Sequence, residues 1–406
     1  MKGVKYFVSS IAFIWLVIAM ASLQNATAQS TEVRSGVDFA KADTIPSPVL
    51  YPYSIAAADL SSGGATAMGV VGVESPGLCS AVGVPLNPSP TSHPWNCSGF
   101  AGDAPVQLIF ADVNLDGNID AVATDGDLPL ITVGLGNGVG DFPPDAGLYA
   151  QCGYATKAVA VGDLNGDGIP DIVATVLGVA HNPGCLAIFF GEGEGKFSKA
   201  QEISSGGNIP SSVAIGDVNG DGILDLVVAN FGTEVDGDYG NVSVLLGNGD
   251  GSFQKPVRYI GLHDPMQVIL ADFNGDGKLD MSALAPGQKV VYFSAGNGDG
   301  SFSKPATYKL AYPGWIAAAD MNGDGKLDLV ACGGTTPDNP GVAEILLGNG
   351  DGTFQPQQNF EVGINPLELA VADFNGDGKP DIATLNGGDS TISILLNTTQ
   401  FPAKKR

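Results

Sequence analysis

The chain has 406 residues, with 43 acidic against 18 basic side chains and a formal net charge of −25. A protein this acidic repels nucleic acids and anionic membrane surfaces, so neither is expected as a partner.

Residues 1–28 have the composition of a secretory signal peptide. Lys2 and Lys5 precede a mostly apolar run that ends at Leu23, and the small residues up to Ala28 offer a cleavage site. An uncleaved N-terminal anchor is the alternative. No later segment reaches the ~18 apolar residues of a membrane-spanning helix. We therefore expect a secreted, cell-surface or periplasmic protein, with no membrane span in the mature chain after cleavage near Ala28.

Residues 36–401 are built from a repeated unit. The pattern Asp-x-Asn-x-Asp-Gly-x-x-Asp begins at Asp112, Asp163, Asp217, Asp272, Asp320 and Asp373, at spacings of 51, 54, 55, 48 and 53 residues. Self-similarity at this period is typical of propellers and solenoids.

A degenerate unit precedes the six complete ones. Residues 55–61 resemble the segments that lead into the other loops, but the corresponding positions hold Asp59, Ser61, Gly63 and Ala67. With one carboxylate instead of three, this loop is not expected to bind a metal. The unit also carries a Pro- and Ser-rich insertion, residues 76–99, which contains Trp95.

The unit around Asp272 shows how one repeat would fold. Apolar runs at 266–270, 279–284, 289–293 and 302–308 are separated by turns rich in Gly, Asn and Asp. Four short strands joined by such turns predict one antiparallel blade. A Phe after the last turn recurs and is expected to anchor the outer strand: Phe142, Phe197, Phe253, Phe302 and Phe354.

The two ends of the repeat region complement each other. The last unit stops near Phe401, where its outer strand would begin, and residues 36–45 have the character of that missing strand. The sequence therefore predicts an all-β, seven-bladed propeller of four-stranded antiparallel blades, closed by an N-terminal strand. An open solenoid is the alternative. Residues 402–406 would form a short basic tail.

Five cysteines fit an oxidising compartment. We expect Cys79 to pair with Cys97 and Cys152 with Cys185, although other pairings of four cysteines remain open. Cys332 lies in an apolar run and is expected to be a buried thiol.

Each complete loop offers hard oxygen ligands for Ca²⁺. Side-chain oxygens come from positions 1, 3, 5 and 9, position 7 supplies its backbone carbonyl, and a glycine at position 6 permits the tight turn. The predicted ligands are Asp112, Asn114, Asp116, Asn118, Asp120, Asp163, Asn165, Asp167, Ile169, Asp171, Asp217, Asn219, Asp221, Ile223, Asp225, Asp272, Asn274, Asp276, Lys278, Asp280, Asp320, Asn322, Asp324, Lys326, Asp328, Asp373, Asn375, Asp377, Lys379 and Asp381.

A polar β-turn is the alternative explanation of a single loop, because Asp, Asn and Gly are common turn residues. Six copies in register, each with three carboxylates, favour metal binding. We expect up to six Ca²⁺ ions with a structural role.

These loops, with segments such as residues 245–253, resemble the FG-GAP (VCBS) repeat family, whose units also build the seven-bladed head of integrin α subunits. The resemblance implies calcium loops on one face of the ring and a ligand on the opposite face. The positions corresponding to that face are Tyr154, His181, Asp236, Asp238, Tyr239, His263, Asp264, Tyr312 and Trp315. The degenerate first loop and its insertion depart from the family pattern.

No catalytic motif accompanies the repeats. The three histidines, His93, His181 and His263, lie in no H-E-x-x-H motif, and no nucleophile elbow or phosphate loop is present. We therefore predict a non-catalytic binding or adhesion module for an extracellular protein or glycan. Two alternatives remain: a polysaccharide lyase or hydrolase with its site at the channel mouth, and a purely structural scaffold.

Overall fold

The computed structural model describes residues 36–49, 51–59, 66–72, 77–82, 96–99, 104–178, 183–233, 238–259, 261–311, 313–334 and 340–402. Within these ranges the chain forms seven four-stranded antiparallel blades. The predicted signal peptide at 1–28, His93, Trp95, His181, Asp236, Tyr312 and residues 403–406 of the basic tail lie outside them.

The strands follow one another in the order of the repeat units. They begin with β1 (Asp43–Pro46), then in blade 1 β2 (Pro52–Asp59), β3 (Thr66–Gly72), β4 (Gly77–Val82) and β5 (Asn96–Gly99), and in blade 2 β6 (Pro105–Ala111), β7 (Asp120–Asp125), β8 (Leu130–Gly134) and β9 (Pro144–Tyr149). Blade 3 contains β10 (Ala155–Gly162), β11 (Asp171–Leu177), β12 (Cys185–Phe189) and β15 (Gln201–Ile203), with a small hairpin of β13 (Gly191–Gly193) and β14 (Lys196–Phe197).

The remaining blades repeat this arrangement. Blade 4 contains β16 (Pro210–Gly216), β17 (Asp225–Asn230), β18 (Asn241–Leu245) and β19 (Val257–Tyr259), and blade 5 contains β20 (Gln267–Ala271), β21 (Asp280–Ala285), β22 (Val290–Ser294) and β23 (Ala306–Lys309). Blade 6 contains β24 (Trp315–Ala319), β25 (Asp328–Gly333), β26 (Pro340–Leu346) and β27 (Gln358–Ile364), and blade 7 contains β28 (Pro366–Ala372), β29 (Asp381–Asn386), β30 (Thr391–Leu395) and β1. A 3-10 turn, Pro286–Gln288, joins β21 to β22.

The first three strands of the unit around Asp272 lie within about one residue of the sequence prediction. The fourth strand begins later than predicted, at Ala306, because Phe302 forms only an isolated bridge with Gly296. The inner and middle strands are buried except for the partly buried Tyr292 of β22, whereas the outer strand β23 is mostly exposed. This gradient is typical of blades that pack face to face around an axis.

The hydrophobic core lies between adjacent blades. Phe354 of blade 6 shows the packing: its ring contacts the rings of Phe273, Phe293 and Tyr308 of blade 5 at centroid distances of 5.5, 5.8 and 5.1 Å. The predicted anchoring Phe therefore connects its own outer strand to the preceding blade. Phe354 is partly buried, so it contributes less than the ~1.5–3 kcal/mol of a fully buried ring.

The ring is closed, so the open solenoid is wrong. β1 pairs with β30 in an antiparallel register from Asp43 opposite Ile394 to Pro46 opposite Thr391. First strands of all adjacent blades contact one another, including β2 and β28 at the closing seam. The N-terminal strand is shorter than predicted, but Phe39 adds an isolated bridge to Asn397. An N-terminal strand thus completes the last blade.

Cysteines pair as expected, Cys79 with Cys97 and Cys152 with Cys185. Cys332 is a free and buried thiol. The degenerate unit forms a four-stranded blade like the others, although residues 60–65 of its loop lie outside the described ranges. No helix in the part of the chain that the structure describes is long and apolar enough to cross a membrane.

Candidate functional site: two faces of the ring

Alternating strand direction divides the loops between two faces. Turns from the first to the second strand and from the third to the fourth lie on one face, which we call the loop face. Turns from the second to the third strand, and connections to the next blade, lie on the other, which we call the groove face. All six Asp loops are first-to-second turns and therefore share the loop face.

Hydrogen bonds to backbone amides fold each Asp loop around its own carboxylates. In the loop of blade 5, Asp272 accepts from the amides of Gly275 at 2.8 Å, Asp276 at 3.1 Å and Gly277 at 2.8 Å. The two glycines have φ of 74° and 83°, a conformation that disfavours other residues. Asn274 Oδ1 accepts from the amide of Asp276 at 2.8 Å. The loops are thus preshaped turns with their oxygens directed inward.

The aspartate at position 9 has a structural function that its place in the motif does not reveal. Asp328 is fully buried; its Oδ2 accepts from the amide of Met321 at 2.8 Å, and its Oδ1 accepts from that of Gly348 at 2.8 Å. It therefore joins the Asp loop to the turn between the third and fourth strands. The same two bonds recur in all six loops, made by Asp120, Asp171, Asp225, Asp280, Asp328 and Asp381.

Burial raises the pKa of these carboxyls. The pKa of Asp120 is raised to about 6 and that of Asp328 to about 7, mainly by desolvation; the amide hydrogen bonds oppose the shift and the neighbouring loop aspartates add to it. The fold alone thus disfavours a full set of negative charges in each loop, which a divalent cation would offset.

Chemically, the loop oxygens suit Ca²⁺, but the carboxylates are engaged by amides. Within the described ranges no three His, Cys, Asp or Glu side chains are gathered closely enough to hold a metal ion. In blade 7 a lysine ammonium group contacts the loop: Lys379 Nζ, from position 7, donates to Asp377 Oδ2 at 3.1 Å. The repeat pattern predicted only a backbone-carbonyl ligand at this position.

Three of the residues predicted for the ligand-binding face meet on the groove face, between blades 4 and 5. The rings of Tyr239 and His263 lie 5.0 Å apart, and the amide of Asp264 donates to the carbonyl of Tyr239 at 2.8 Å. Tyr239 is 51% exposed. Asp264 is buried, with φ of 51°, and its Oδ1 has no hydrogen-bond partner. This cluster presents an aromatic surface held by two loops.

Beside it, a polar depression of about 460 Å³ opens between blades 3 and 4. Its lining residues are Pro183, Ser204, Gly207, Asn208, Asp238, Asn241 and Arg258. Asp238 was predicted from the sequence; it accepts a short hydrogen bond from Asn208 Nδ2 and a second, at 3.3 Å, from the amide of Gly240. We call this depression the blade 3–4 groove.

The other described residues that were predicted for the ligand-binding face lie apart from the cluster. Tyr154 precedes β10 on the groove face and is 46% exposed. Trp315 is the first residue of β24, is half-buried and packs against a core cluster; its Nε1 is buried without a hydrogen-bond partner.

Sequence reasoning missed Asn208, Asn241 and Arg258, which come from three separate segments. The only sequence feature that could have indicated these residues is how blade 4 differs from the other repeat units. Asn230 and Ser243 of blade 4 occupy the places of Asn386 and Ser393 in blade 7, and Asn241 stands where blade 7 has Thr391.

The buried Glu368 on β28 is a further unpredicted group, at the closing seam. Its Oε2 accepts from the amide of Ile55 at 3.2 Å. Burial raises its pKa to about 8, while hydrogen bonds from Ser54 and Ile55 and the charge of Lys157 oppose that shift.

Known proteins resemble this chain both in sequence and in fold. Residues 112–174, 176–228, 231–283, 272–331 and 320–384 match the FG-GAP-like repeat family. Integrin alpha-PS5 of Drosophila melanogaster is 32% identical over 159 residues, which are 34% of this chain and 16% of that protein. Integrin alpha-V of Gallus gallus is 29% identical over 143 residues, 33% of this chain and 14% of that protein. The similarity thus spans a small part of these relatives.

Two solved structures share the fold at low sequence identity. An Agrocybe aegerita lectin that specifically recognises non-reducing terminal N-acetylglucosamine superimposes with a TM-score of 0.53 and 20% identity, over 85% of this chain and 94% of the lectin. BBS1N, from its complex with ARL6DN, superimposes with a TM-score of 0.59 and 12% identity, over 91% of this chain and 98% of its own. These likenesses support the fold alone.

Proposed function

The chain belongs to the FG-GAP-like repeat family, and on that premise we propose that it is a secreted, calcium-stabilised propeller that binds an extracellular protein or glycan. It acts as a binding or adhesion module without catalysis. Its ligand is held on the groove face, opposite the Asp loops.

One observation carries this proposal: the half-exposed Tyr239 ring, packed on His263, lies on the groove face beside a polar groove. Exposed aromatic side chains on loops are enriched where proteins bind partners. A rigid ring of blades holds these loops in place, which lowers the entropy lost on binding. The matches to integrin α subunits agree with an adhesion function.

The Asp loops have a separate task in this proposal. Ca²⁺ would draw together the oxygens at positions 1, 3, 5, 7 and 9, several of which accept amide hydrogen bonds in the described loops. It would supply positive charge to ionised carboxylates that burial and mutual repulsion disfavour. Because the aspartate at position 9 also joins the loop to the next turn, an ion there would stabilise the whole hairpin.

Retention on immobilised glycans and extracellular-matrix proteins, in calcium and in EGTA, tests the binding function. We expect saturable retention on one ligand class, weakened in Tyr239→Ala and His263→Ala. Val139→Ala is the matched control, because Val139 is an exposed apolar residue on the loop face. If both groove-face variants bind as well as the wild type, the site assignment is wrong. If a folded wild type is retained on nothing, the binding function is wrong.

A further inference from the structure

Resting on the proposed binding function, we infer that the blade 3–4 groove is a carbohydrate subsite for an acidic sugar, which Asn241, Asn208 and Arg258 recognise through its carboxylate and hydroxyl oxygens.

The floor of the groove presents an oriented amide. Asn241 is only 4% exposed, and its Oδ1 accepts from Ser243 Oγ at 2.8 Å and from Asn230 Nδ2 at 3.2 Å. Two donors to one oxygen fix which way the amide points. The Nδ2 group therefore faces the groove, and within the described ranges it has no hydrogen-bond partner. This donor reaches the surface of the groove, where a ligand or water can accept its hydrogen bond.

A glycine keeps the amide accessible. A Cβ built on Gly207 would lie 2.5 Å from Asn230 Cβ and 2.6 Å from Asn241 Nδ2, so any other residue there would both press on Asn230 and cover the donor. The hydrogen-bond network behind the amide also lacks a donor, because Asn230 Oδ1 is buried and unpaired. In blade 7 the equivalent Asn386 Oδ1 accepts from Thr384 Oγ1 at 3.0 Å, whereas blade 4 has Val228 at that place.

Asn208 and Arg258 offer further donors in the groove. Asn208 uses one Nδ2 hydrogen for Asp238 and retains a second, and Arg258 makes no ion pair among the described residues. Both oxygens of Asp238 already accept hydrogen bonds, from Asn208 and from the amide of Gly240. The charges of Asp238 and Arg258 cancel in the lining. A ligand carboxylate would bond to Arg258, whose planar fork of donors matches carboxylate geometry.

The lining also favours a sugar over a peptide. Among the lining residues only Pro183 has an apolar side chain. Peptide-binding sites depend instead on buried aromatic or aliphatic anchors. The volume of about 460 Å³ lies within the usual range for small-ligand sites. A uronic acid combines the required carboxylate with hydroxyls that can bond to Asn208 and Ser204.

Calorimetric titration with glucuronate, glucose and acetate, in calcium and at fixed ionic strength, tests this inference. We expect glucuronate to bind, and both glucose and acetate to bind at least about tenfold more weakly, since each lacks one part of the recognised group. Asn241→Thr should weaken glucuronate binding about 10- to 100-fold, because it removes the Nδ2 donor. Thr391 already fills the equivalent place in blade 7 and accepts from Asn386 at 3.0 Å, so the fold tolerates this side chain.

Arg258→Gln should weaken binding to a similar degree. Lys255→Gln is the matched control, since it removes one exposed positive charge from blade 4 outside the groove lining. Unchanged binding in Asn241→Thr or Arg258→Gln, equal binding of acetate, or no glucuronate binding by a protein that is retained on the panel would each overturn the acidic-sugar site. The last result leaves the proposed binding function standing; retention on nothing in the panel would remove that function instead.

Discussion

Replacing Glu368 by Gln should change how the stability of the ring depends on pH. The Glu368 carboxyl is buried in the seam that closes the ring, where it bonds to the amide of Ile55 and to Ser54. The charged and titratable groups near it are Lys157, which favours the ionised form, and the buried thiol of Cys332. Burial outweighs Lys157 and raises the pKa of Glu368 from 4.5 to about 8.

A folded-state pKa above the unfolded value means that folding takes up a proton. The free energy of unfolding is therefore highest below pH 4.5 as far as this group is concerned, and it falls as the pH rises toward 8. At about 1.4 kcal/mol per pKa unit, the full loss is on the order of 5 kcal/mol, of which about 3–4 kcal/mol falls between pH 5 and 8. Gln retains the neutral form and an acceptor for the amide of Ile55, so the variant lacks this loss.

Urea unfolding of the wild type and Glu368→Gln at pH 5 and pH 8 measures the effect. The stability of the variant relative to the wild type should rise by about 3–4 kcal/mol between the two pH values. Other titrating groups cancel in this double difference. Glu361→Gln, an exposed position on β27, is the control and should show no such rise. Parallel pH dependence of the wild type and Glu368→Gln would refute the assignment of a buried, neutral carboxyl.

Three further predictions concern the loops and the packing. Saturating calcium should raise the melting temperature relative to EGTA, because each filled loop adds about 1–2 kcal/mol to the free energy of unfolding. Asp276→Asn should lower the calcium stoichiometry by one. An unchanged melting temperature would contradict a structural ion. Gly348→Ala should destabilise by about 1–3 kcal/mol because its Cβ would overlap the carbonyl oxygen of Leu327, whereas Gly147→Ala, in ordinary contact with Leu130, should be nearly neutral in the same melts. Val228→Thr should cost about 1–2 kcal/mol less than Val227→Thr, because only the first supplies the donor that Asn230 Oδ1 lacks; equal costs would refute that explanation.

The repeats made the architecture predictable, because each unit carries its own turn chemistry and apolar periodicity. The closing strand followed from the same comparison of units. The disulfide pairings were expected only because each pair of cysteines falls within one unit. The groove did not, since its residues come from four segments and each has an ordinary local role in a strand or turn. Glu368 was equally hidden, because a single acidic residue in an apolar strand does not reveal which neighbouring blade it contacts.

Hydrogen exchange monitored by mass spectrometry tests most directly whether calcium binds the loop face and the ligand binds the groove face. Calcium should slow amide exchange in the six Asp loops and the turns that their position-9 aspartates contact. A ligand retained in the panel screen, added in calcium, should slow exchange in residues 204–208, 238–241 and 257–258, with no further change in the loops. Protection by that ligand confined to the loop face would contradict the account.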